Sequence, residues 1–195
     1  MHTIVGLGNP GKEYENTRHN IGWLVLKHII EVRGLPELSK SSRYSGLLSE
    51  GMLGEKPVAV LFPTTYMNNS GNAVSLYVKE KGSLGTLVVV HDDIDLPFGS
   101  IRVSFGRGAG GHNGVQSVID SCGGKEFIRI RIGIAERGFF GGIKRPKGEE
   151  LSRFVLKPLG TREMKALPEI AEKVDAALGL IIDKGVAVAM QECNK

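Results

Sequence analysis

Apolar positions recur along the chain with two different periods, and segments of the two kinds alternate. Six segments have the continuous or every-second-residue pattern that is typical of strands: 2–7, 43–49, 57–62, 86–91, 100–105 and 127–134. Four segments have the spacing of helices: 19–32, 67–81, 113–122 and 161–184. Strands that alternate with helices predict an α/β fold with a twisted, mixed but largely parallel sheet, flanked by helices on both faces.

The chain is predicted to form a single domain over residues 1–195, because no repeat or long Pro/Ser linker divides it. Within it, segment 138–149 is predicted to be a flexible, basic, lid-like loop. The longest apolar runs are far shorter than the ~18 residues that span a bilayer, and the N-terminus has no signal-peptide pattern. Two cysteines cannot form a disulfide framework. We therefore expect a cytoplasmic protein without a membrane partner.

The net charge of +4 conceals a concentrated basic region. Residues 99–147 contain 9 Lys and Arg against 3 Asp and Glu, whereas the parts on either side are close to neutral. Such a region favours an anionic partner, for which nucleic acid is one candidate, although a solvated basic face would give the same counts.

The first predicted strand leads into Gly6-Leu7-Gly8-Asn9-Pro10-Gly11, which has the spacing of a dinucleotide-binding turn. In that kind of site a helix begins at the third glycine, so that its amides hold the pyrophosphate. Here a polar segment, 12–18, follows instead. We therefore interpret the glycines as a tight turn that presents Asn9 at the carboxyl end of the strand, where open α/β sheets place their sites.

Polar side chains gather at predicted strand ends and helix starts, namely Asn9, His19, Asn68, Asp92 and Asn113. An aspartate that fixes the imidazole tautomer makes a histidine a general base. Asparagine amides can donate to a developing oxyanion or hold a substrate backbone. The set favours a hydrolytic site that activates water and has no nucleophile of its own.

Three carboxylates in the segment HDDIDLPFG, those of Asp92, Asp93 and Asp95, suggest an alternative, because they could bind a hard metal ion. The sequence has no second acidic cluster beside them. We favour turn chemistry, in which Asp93 and Asp95 accept hydrogen bonds from backbone N–H groups. We therefore expect neither a metal nor a cofactor.

A second glycine-rich segment, 107–114, opens a predicted helix inside the basic region. Amides at a helix N-terminus favour anions, and glycines let a bulky chain approach closely. A simple flexible connection would also explain the glycines, but the position of the segment in the basic region favours a binding role.

Taken together, the motifs resemble the ordered signature segments of the bacterial peptidyl-tRNA hydrolase family. The segments are GLGNPGKEYENTRHNIG (6–22), PTTYMNNSG (63–71), VVVHDDIDLPFG (88–99), GAGGHNG (108–114) and FIRIRIGI (127–134). The resemblance covers about residues 3–185. It implies a monomeric hydrolase that cleaves the ester between a peptide, or an N-blocked aminoacyl group, and the 3′ end of tRNA.

The resemblance also implies roles for individual residues. His19 matches the catalytic base, Asp92 matches the residue that orients it, and Asn9 and Asn68 complete the catalytic set. Positions matched to substrate binding are Tyr14, Asn20, Tyr66, Met67, Gly111, His112 and Asn113, although periodicity alone would place Met67 in the core. Arg131 matches a basic residue that holds tRNA phosphate.

The chain departs from the family pattern in three places. Ser104 stands where a lysine is expected to contact phosphate, and Arg102 or Arg107 is expected to replace it. Asp93 stands where glutamate is familiar, and the 138–149 loop is longer than in some relatives. Two other functions stay open at this point, namely a metal-dependent phosphohydrolase and an RNA-binding module without catalytic activity.

Overall fold

Seven strands form one twisted sheet in the computed structural model of the chain, which describes residues 1–136, 142–143 and 145–195. The strands are β1 (His2–Gly6), β2 (Ser39–Ser41), β3 (Gly46–Leu53), β4 (Lys56–Pro63), β5 (Leu87–Pro97), β6 (Ile101–Phe105) and β7 (Ile128–Ala135). Their order across the sheet is β2-β3-β4-β1-β5-β7-β6. The four central strands, β4-β1-β5-β7, run parallel, and the remaining pairs at both edges are antiparallel. The predicted mixed, largely parallel sheet is confirmed.

Six helices accompany the sheet in the described part of the chain: α1 (Ile21–Arg33), α2 (Ser70–Lys81), α3 (Asn113–Cys122), α4 (Glu149–Val155), α5 (Thr161–Lys184) and α6 (Val186–Cys193). Short 3-10 turns at Arg18–Asn20 and Met67–Asn69 precede α1 and α2, so both helices begin later than their apolar pattern predicts. Gly34 ends α1 in the left-handed conformation, as expected of a C-cap glycine.

Two separate apolar cores lie on the two faces of the sheet. On one face, residues such as Ile4 pack with α1 and α5, and on the other, residues such as Val5 pack with α2 and α3. Because successive strand residues point to opposite faces, each buried central strand contributes to both cores. The helices therefore flank the sheet on both faces, as the sequence predicts.

The two helices of the second face pack unusually closely at Gly71 of α2. A Cβ atom at this position would collide with the backbone carbonyl of Ser117 in α3. The Gly71 N–H instead donates to the Ser117 hydroxyl at 2.9 Å. Only glycine permits this approach, which brings the start of α2 beside α3.

Several boundaries differ from the sequence-based expectation. The strand predicted at 86–91 continues as β5 to Pro97 through an irregularity opposite β7 between Asp93 and Pro97. The short elements β2, α4 and α6 were not predicted, because three to eight residues carry too little periodicity. Of the predicted lid-like loop at 138–149, residues 138–141 and 144 lie outside the described residues, and Glu149 begins α4. Among the described helices, none is both long and apolar enough to cross a membrane.

Candidate active site

The candidate site lies at the carboxyl ends of the adjacent parallel strands β1 and β5. Asn9 follows β1 after a short turn, and Asp92 lies within β5. His19 lies in the 3-10 turn that leads into α1, which packs across the same strands. The chain order thus brings three distant sequence segments to one edge of the sheet, where α/β folds place their sites.

His19 and Asp92 form a direct hydrogen bond between Nδ1 and Oδ1, with a length of 2.8 Å. Burial lowers the pKa of His19, but the charge of Asp92 and this hydrogen bond outweigh burial and raise the pKa above its ordinary value. Burial opposes ionisation of Asp92 as well, yet the neighbouring imidazoles hold its pKa well below the usual range. Asp92 is therefore a carboxylate that keeps the Nδ1 proton on His19 and leaves Nε2 as the free base.

A second imidazole, that of His112, contacts the same oxygen of Asp92. Its Nε2 lies 2.9 Å from Oδ1, while its Nδ1 accepts hydrogen bonds from the N–H groups of Gly114 at 3.1 Å and Val115 at 3.2 Å. This pattern fits the neutral tautomer with its proton on Nε2. His112 thus caps α3 and donates to Asp92. Both ring nitrogens already have protein partners, and a contact of His112 with substrate stays a prediction.

Asn9 is buried and is held by Asn20, as two reciprocal hydrogen bonds show. The Asn9 N–H donates to Asn20 Oδ1 at 2.8 Å, and Asn20 Nδ2 donates to the Asn9 carbonyl at 2.9 Å. The Asn9 side chain accepts from the backbone N–H of Met67 through Oδ1 at 2.7 Å. Asn20 therefore supports Asn9 from within the fold, and the Nδ2 group of Asn9 is left to donate elsewhere.

The glycines before Asn9 serve packing in this structure. The Trp23 indole donates to the Gly6 carbonyl at 2.9 Å, and a Cβ atom at Gly8 would lie 2.8 Å from the same indole. Gly11 adopts a positive φ of 116°, and irregular turns follow it up to residue 17. The predicted tight turn is confirmed, since no helix begins at Gly11 and the first helical turn comes only at Arg18–Asn20.

The remaining residues predicted for catalysis or substrate binding differ in exposure. Asn68, Asn113 and Gly111 are exposed, while Met67 packs into the core between the sheet, α2 and α3. Tyr66 is 57% exposed, and its ring meets that of Tyr14 edge-on at a centroid distance of 6.5 Å. Asn68 follows Met67 directly, so the contact between Asn9 and Met67 joins the β1 turn to the start of α2.

A cavity of about 670 Å³ extends from His19 and Asp92 along the β5-β7-β6 side of the sheet. Its lining includes Arg102, Arg107 and Arg131, and Leu151 and Val155 of α4. The cavity thus connects the imidazole of His19 to the basic region of the sequence.

The family model for peptidyl-tRNA hydrolase matches residues 3–195. The chain belongs to the peptidyl-tRNA hydrolase family. The peptidyl-tRNA hydrolase of Syntrophotalea carbinolica is 40% identical over 196 residues, covering 100% of this chain and 97% of the relative. That of Aquifex aeolicus is 39% identical over 201 residues, covering 98% and 95%. The crystal structure of the Acinetobacter baumannii peptidyl-tRNA hydrolase superposes with a TM-score of 0.88 at 31% identity, covering 100% of this chain and 94% of that one.

The arginines of this peptidyl-tRNA hydrolase family member differ in whether they already have protein partners. Arg131 Nε lies 2.6 Å from Asp93 Oδ2, and Arg102 donates to the Asn194 carbonyl. Arg107 is exposed. Ser104 is only 8% exposed, so the position where the family pattern has lysine contributes no extended polar group here.

The carboxylates considered as a metal site do not converge. Asp92 faces the two histidines, Asp93 pairs with Arg131, and Asp95 pairs with Arg145 at 3.1 Å. Asp93 Oδ1 also accepts from the Asp95 N–H at 2.8 Å, which confirms turn chemistry for Asp93, whereas Asp95 forms an ion pair instead. Within the described residues, the group with metal-type donors is His19, Asp92 and His112, whose donor atoms lie within 4.8 Å of one another. Each of the two imidazoles hydrogen-bonds directly to Asp92, whose carboxylate they share.

Sequence reasoning missed two buried residues beside the site. His91 is fully enclosed, its Nδ1 donates to the Asp92 carbonyl at 2.7 Å, and its ring lies 4.7 Å from that of His112. Burial first, and then the neighbouring His112, keep the pKa of His91 well below its ordinary value. Arg129 is 4% exposed and donates to the Gly108 carbonyl at 2.8 Å, so it fixes the glycine-rich loop. Both residues lie in strands, but their burial depends on distant residues and has no local signal in the sequence.

Proposed function

We propose that this family member hydrolyses the ester of peptidyl-tRNA by water attack, with His19 as the general base. The observation that carries the proposal is the hydrogen bond between His19 Nδ1 and Asp92, which leaves Nε2 unprotonated and free to accept a proton from water. The raised pKa of His19 makes its imidazole a stronger base than an isolated one. Family membership supports peptidyl-tRNA as the substrate.

In the first step His19 Nε2 takes a proton from water as the water oxygen attacks the ester carbonyl carbon. The carbonyl oxygen becomes an oxyanion in the tetrahedral intermediate. When the intermediate collapses, the bond to the ribose oxygen breaks, and the imidazolium returns its proton to that oxygen. The products are a free 3′ hydroxyl on the tRNA and a carboxylic acid on the peptide, which then loses its proton to the solvent. Asp92 stabilises the imidazolium between the two proton transfers without becoming protonated.

Asparagine amides supply the donors for the oxyanion and the substrate backbone. We assign stabilisation of the oxyanion to the side-chain amide of Asn68, which is exposed and directly follows the buried Met67. Asn9 keeps only its Nδ2 group for the substrate, because Met67 N–H occupies its oxygen. Asn113 stands exposed at the start of α3, directly after His112, where its amide can align the peptide or the terminal nucleotide. Such preorganised donors are typical of sites that stabilise developing charge.

The two arms of the substrate leave the ester in different directions in this proposal. The peptide lies over Asn68 and Tyr66 with Tyr14 beside them, and the tRNA end follows the cavity toward Arg131 and Arg107. Arg107 is the preferred substitute for the expected lysine, since Arg102 is already bound to the Asn194 carbonyl. Contacts to phosphates carry no base information, so many tRNAs are accepted. Gly111 lets the acceptor end pass close to the loop before α3.

The proposal includes a monomeric, cytoplasmic enzyme that works without metal or cofactor. The separate partners of Asp92, Asp93 and Asp95 support metal independence, since a hard metal ion needs carboxylates that converge. Two free, half-buried cysteines fit a reducing compartment.

The test is deacylation of an N-acetyl-aminoacyl-tRNA by the protein after exhaustive chelation, with the unblocked aminoacyl-tRNA as the control substrate. We expect release of N-acetyl amino acid and intact tRNA at a rate that the chelator does not change. Absence of deacylation would support an RNA-binding module without catalytic activity. Loss of deacylation on chelation, with recovery on adding a divalent metal, would contradict the metal-free mechanism.

A further inference from the structure

Arg18, the residue directly before His19, has a side chain that is only 5% exposed. A single nitrogen, Nη2, lies 2.9 Å from each carboxylate oxygen of Glu163, so the two side chains form a close, charge-assisted hydrogen-bonded ion pair. Glu163 lies in the first turn of α5 and also accepts from the Gly160 N–H at 2.6 Å. A buried cation is thus paired across 145 residues of sequence with the start of a helix that packs on α1.

The connection between α4 and α5 is fastened to the same segment by further contacts. Arg18 Nη1 donates to the Pro158 carbonyl at 3.1 Å, and the Arg18 backbone N–H donates to the Lys157 carbonyl at 3.2 Å. The Leu159 N–H donates to the Asn16 carbonyl at 2.8 Å. The segment that leads to His19 is therefore held at Asn16 and at Arg18, the residue at which the 3-10 turn begins.

The guanidinium also lies 4.8 Å from the ring centroid of Phe154 in α4. Two other residues of α4, Leu151 and Val155, line the cavity that begins at His19. One helix therefore forms a wall of the cavity and contacts the residue next to the proposed base. A displacement of α4 moves a direct contact of Arg18.

We propose that Arg18 is a positioning residue for His19, which holds the imidazole against Asp92 and couples its position to the α4 wall of the cavity. The inference rests on the proposed function in that His19 is taken as the base. The titratable groups that face the His19 ring are Asp92 from β5 and His112 from the loop before α3. Arg18 itself faces Glu163 and, at 3.8 Å, Glu136. Loss of the contacts of Arg18 with Glu163 and Phe154 would let the 3-10 turn move away from β5. The hydrogen bond from His19 Nδ1 to Asp92 would then become longer.

The alternative is that Arg18 only stabilises the fold. A second arginine that pairs with α5 provides a control for this alternative. Arg33 at the end of α1 also pairs with a carboxylate of α5, since its Nε lies 3.1 Å and 3.0 Å from the two oxygens of Asp175. That ion pair lies a full helix length from His19. Arg33→Lys therefore weakens another arginine–carboxylate pair with α5, at a more exposed position, without touching the segment of His19.

The experiment compares Arg18→Lys, Glu163→Gln and Arg33→Lys by steady-state kinetics and by NMR titration of the His19 imidazole, assigned from the signal missing in His19→Asn. For Arg18→Lys and Glu163→Gln we expect kcat to fall by about tenfold or more with KM nearly unchanged, because small displacements of a catalytic group are costly. We expect the pKa of His19 to fall toward the ordinary value of ~6.5 in both. Arg33→Lys should change neither quantity.

The proposal is overturned if the folded variants lose thermal stability while kcat and the His19 titration match those of the unsubstituted protein. If Arg18→Lys does not fold, Glu163→Gln and Phe154→Leu decide by the same readouts. The NMR titration does not depend on turnover. If His19→Asn retained full activity, the base assignment would fail, and the titration would still report whether Arg18 positions the imidazole.

Discussion

The Nδ1 atom of His19 donates to Oδ1 of Asp92 over 2.8 Å, and this bond determines which nitrogen of His19 can act as a base. Because Asp92 also accepts from His112, its negative charge is held between two imidazoles in a buried position. Asp92 stays ionised, and the Nε2 lone pair of His19 is left free, which the proposed mechanism uses to take a proton from water. The chemistry of the site follows from this tautomer.

The first prediction concerns the pH dependence of the reaction. The neutral imidazole is the reactive form, so kcat/KM should decrease as pH falls and His19 becomes protonated. Because the pKa of His19 is raised, the midpoint of this decrease should lie above the ordinary value of ~6.5. A pH–rate profile with a stable N-acetyl-aminoacyl-tRNA measures it. A midpoint below the ordinary histidine value would show that Asp92 does not stabilise the imidazolium.

Asp92→Asn tests whether the negative charge of Asp92, rather than its size, matters for the reaction. The amide keeps nearly the same size but removes the charge and can hold His19 in the wrong tautomer, which in a related catalytic arrangement costs roughly 10⁴-fold in kcat. The acid limb of the remaining activity should also shift to lower pH, because the charge that raises the pKa of His19 is gone. A loss of less than about tenfold would argue that Asp92 has only a structural role.

His112 permits a distinction between helix capping and support of Asp92. In His112→Asn the shorter side chain still caps α3 but does not reach Asp92. We therefore expect a lower kcat, with an unfolding temperature close to that of the unsubstituted protein. His112→Ala loses both functions and should cost about 1 kcal/mol of stability in addition. Thermal unfolding and initial rates for the two variants test this. Equal kinetic parameters for His112→Asn and the unsubstituted protein would show that support of Asp92 by His112 does not matter for the reaction.

Arg131→Ala should weaken tRNA binding and reduce the slope of log affinity against log salt by about 1, as expected for loss of one phosphate contact. Arg43→Ala is the matched control, because Arg43 is exposed beside Glu80 and lies near the opposite edge of the sheet. Equilibrium binding of deacylated tRNA at several salt concentrations gives both slopes. An unchanged slope for Arg131→Ala would assign Arg131 to the ion pair with Asp93 alone.

Local sequence patterns predicted the central sheet well because the core strands carry long apolar runs. The positions of Asn9 and Asp92 were also predictable, because parallel strands bring the residues at their carboxyl ends to one edge of the sheet. The glycine-rich turn after β1 was interpreted correctly because no helix pattern follows Gly11.

Side-chain partners could not be predicted from the sequence where the two residues lie in distant segments. The pairing of Arg18 with Glu163 spans 145 residues, and no local period indicates it. Likewise, no local pattern indicates that the two ring nitrogens of His112 face Asp92 and the amides of α3. Ser104 looked like a substituted phosphate contact, but the packing of β6 on β7 buries it.

The most direct test of the central claim is the single-turnover deacylation rate of His19→Ala on N-acetyl-aminoacyl-tRNA, beside that of the unsubstituted protein. Circular dichroism and tRNA binding confirm that the variant is folded and holds its substrate. We predict that hydrolysis by the variant falls by a factor of about 10²–10⁴, the usual contribution of a general base, while tRNA affinity is retained. An undiminished rate in a folded variant would contradict the assignment of His19 as the base.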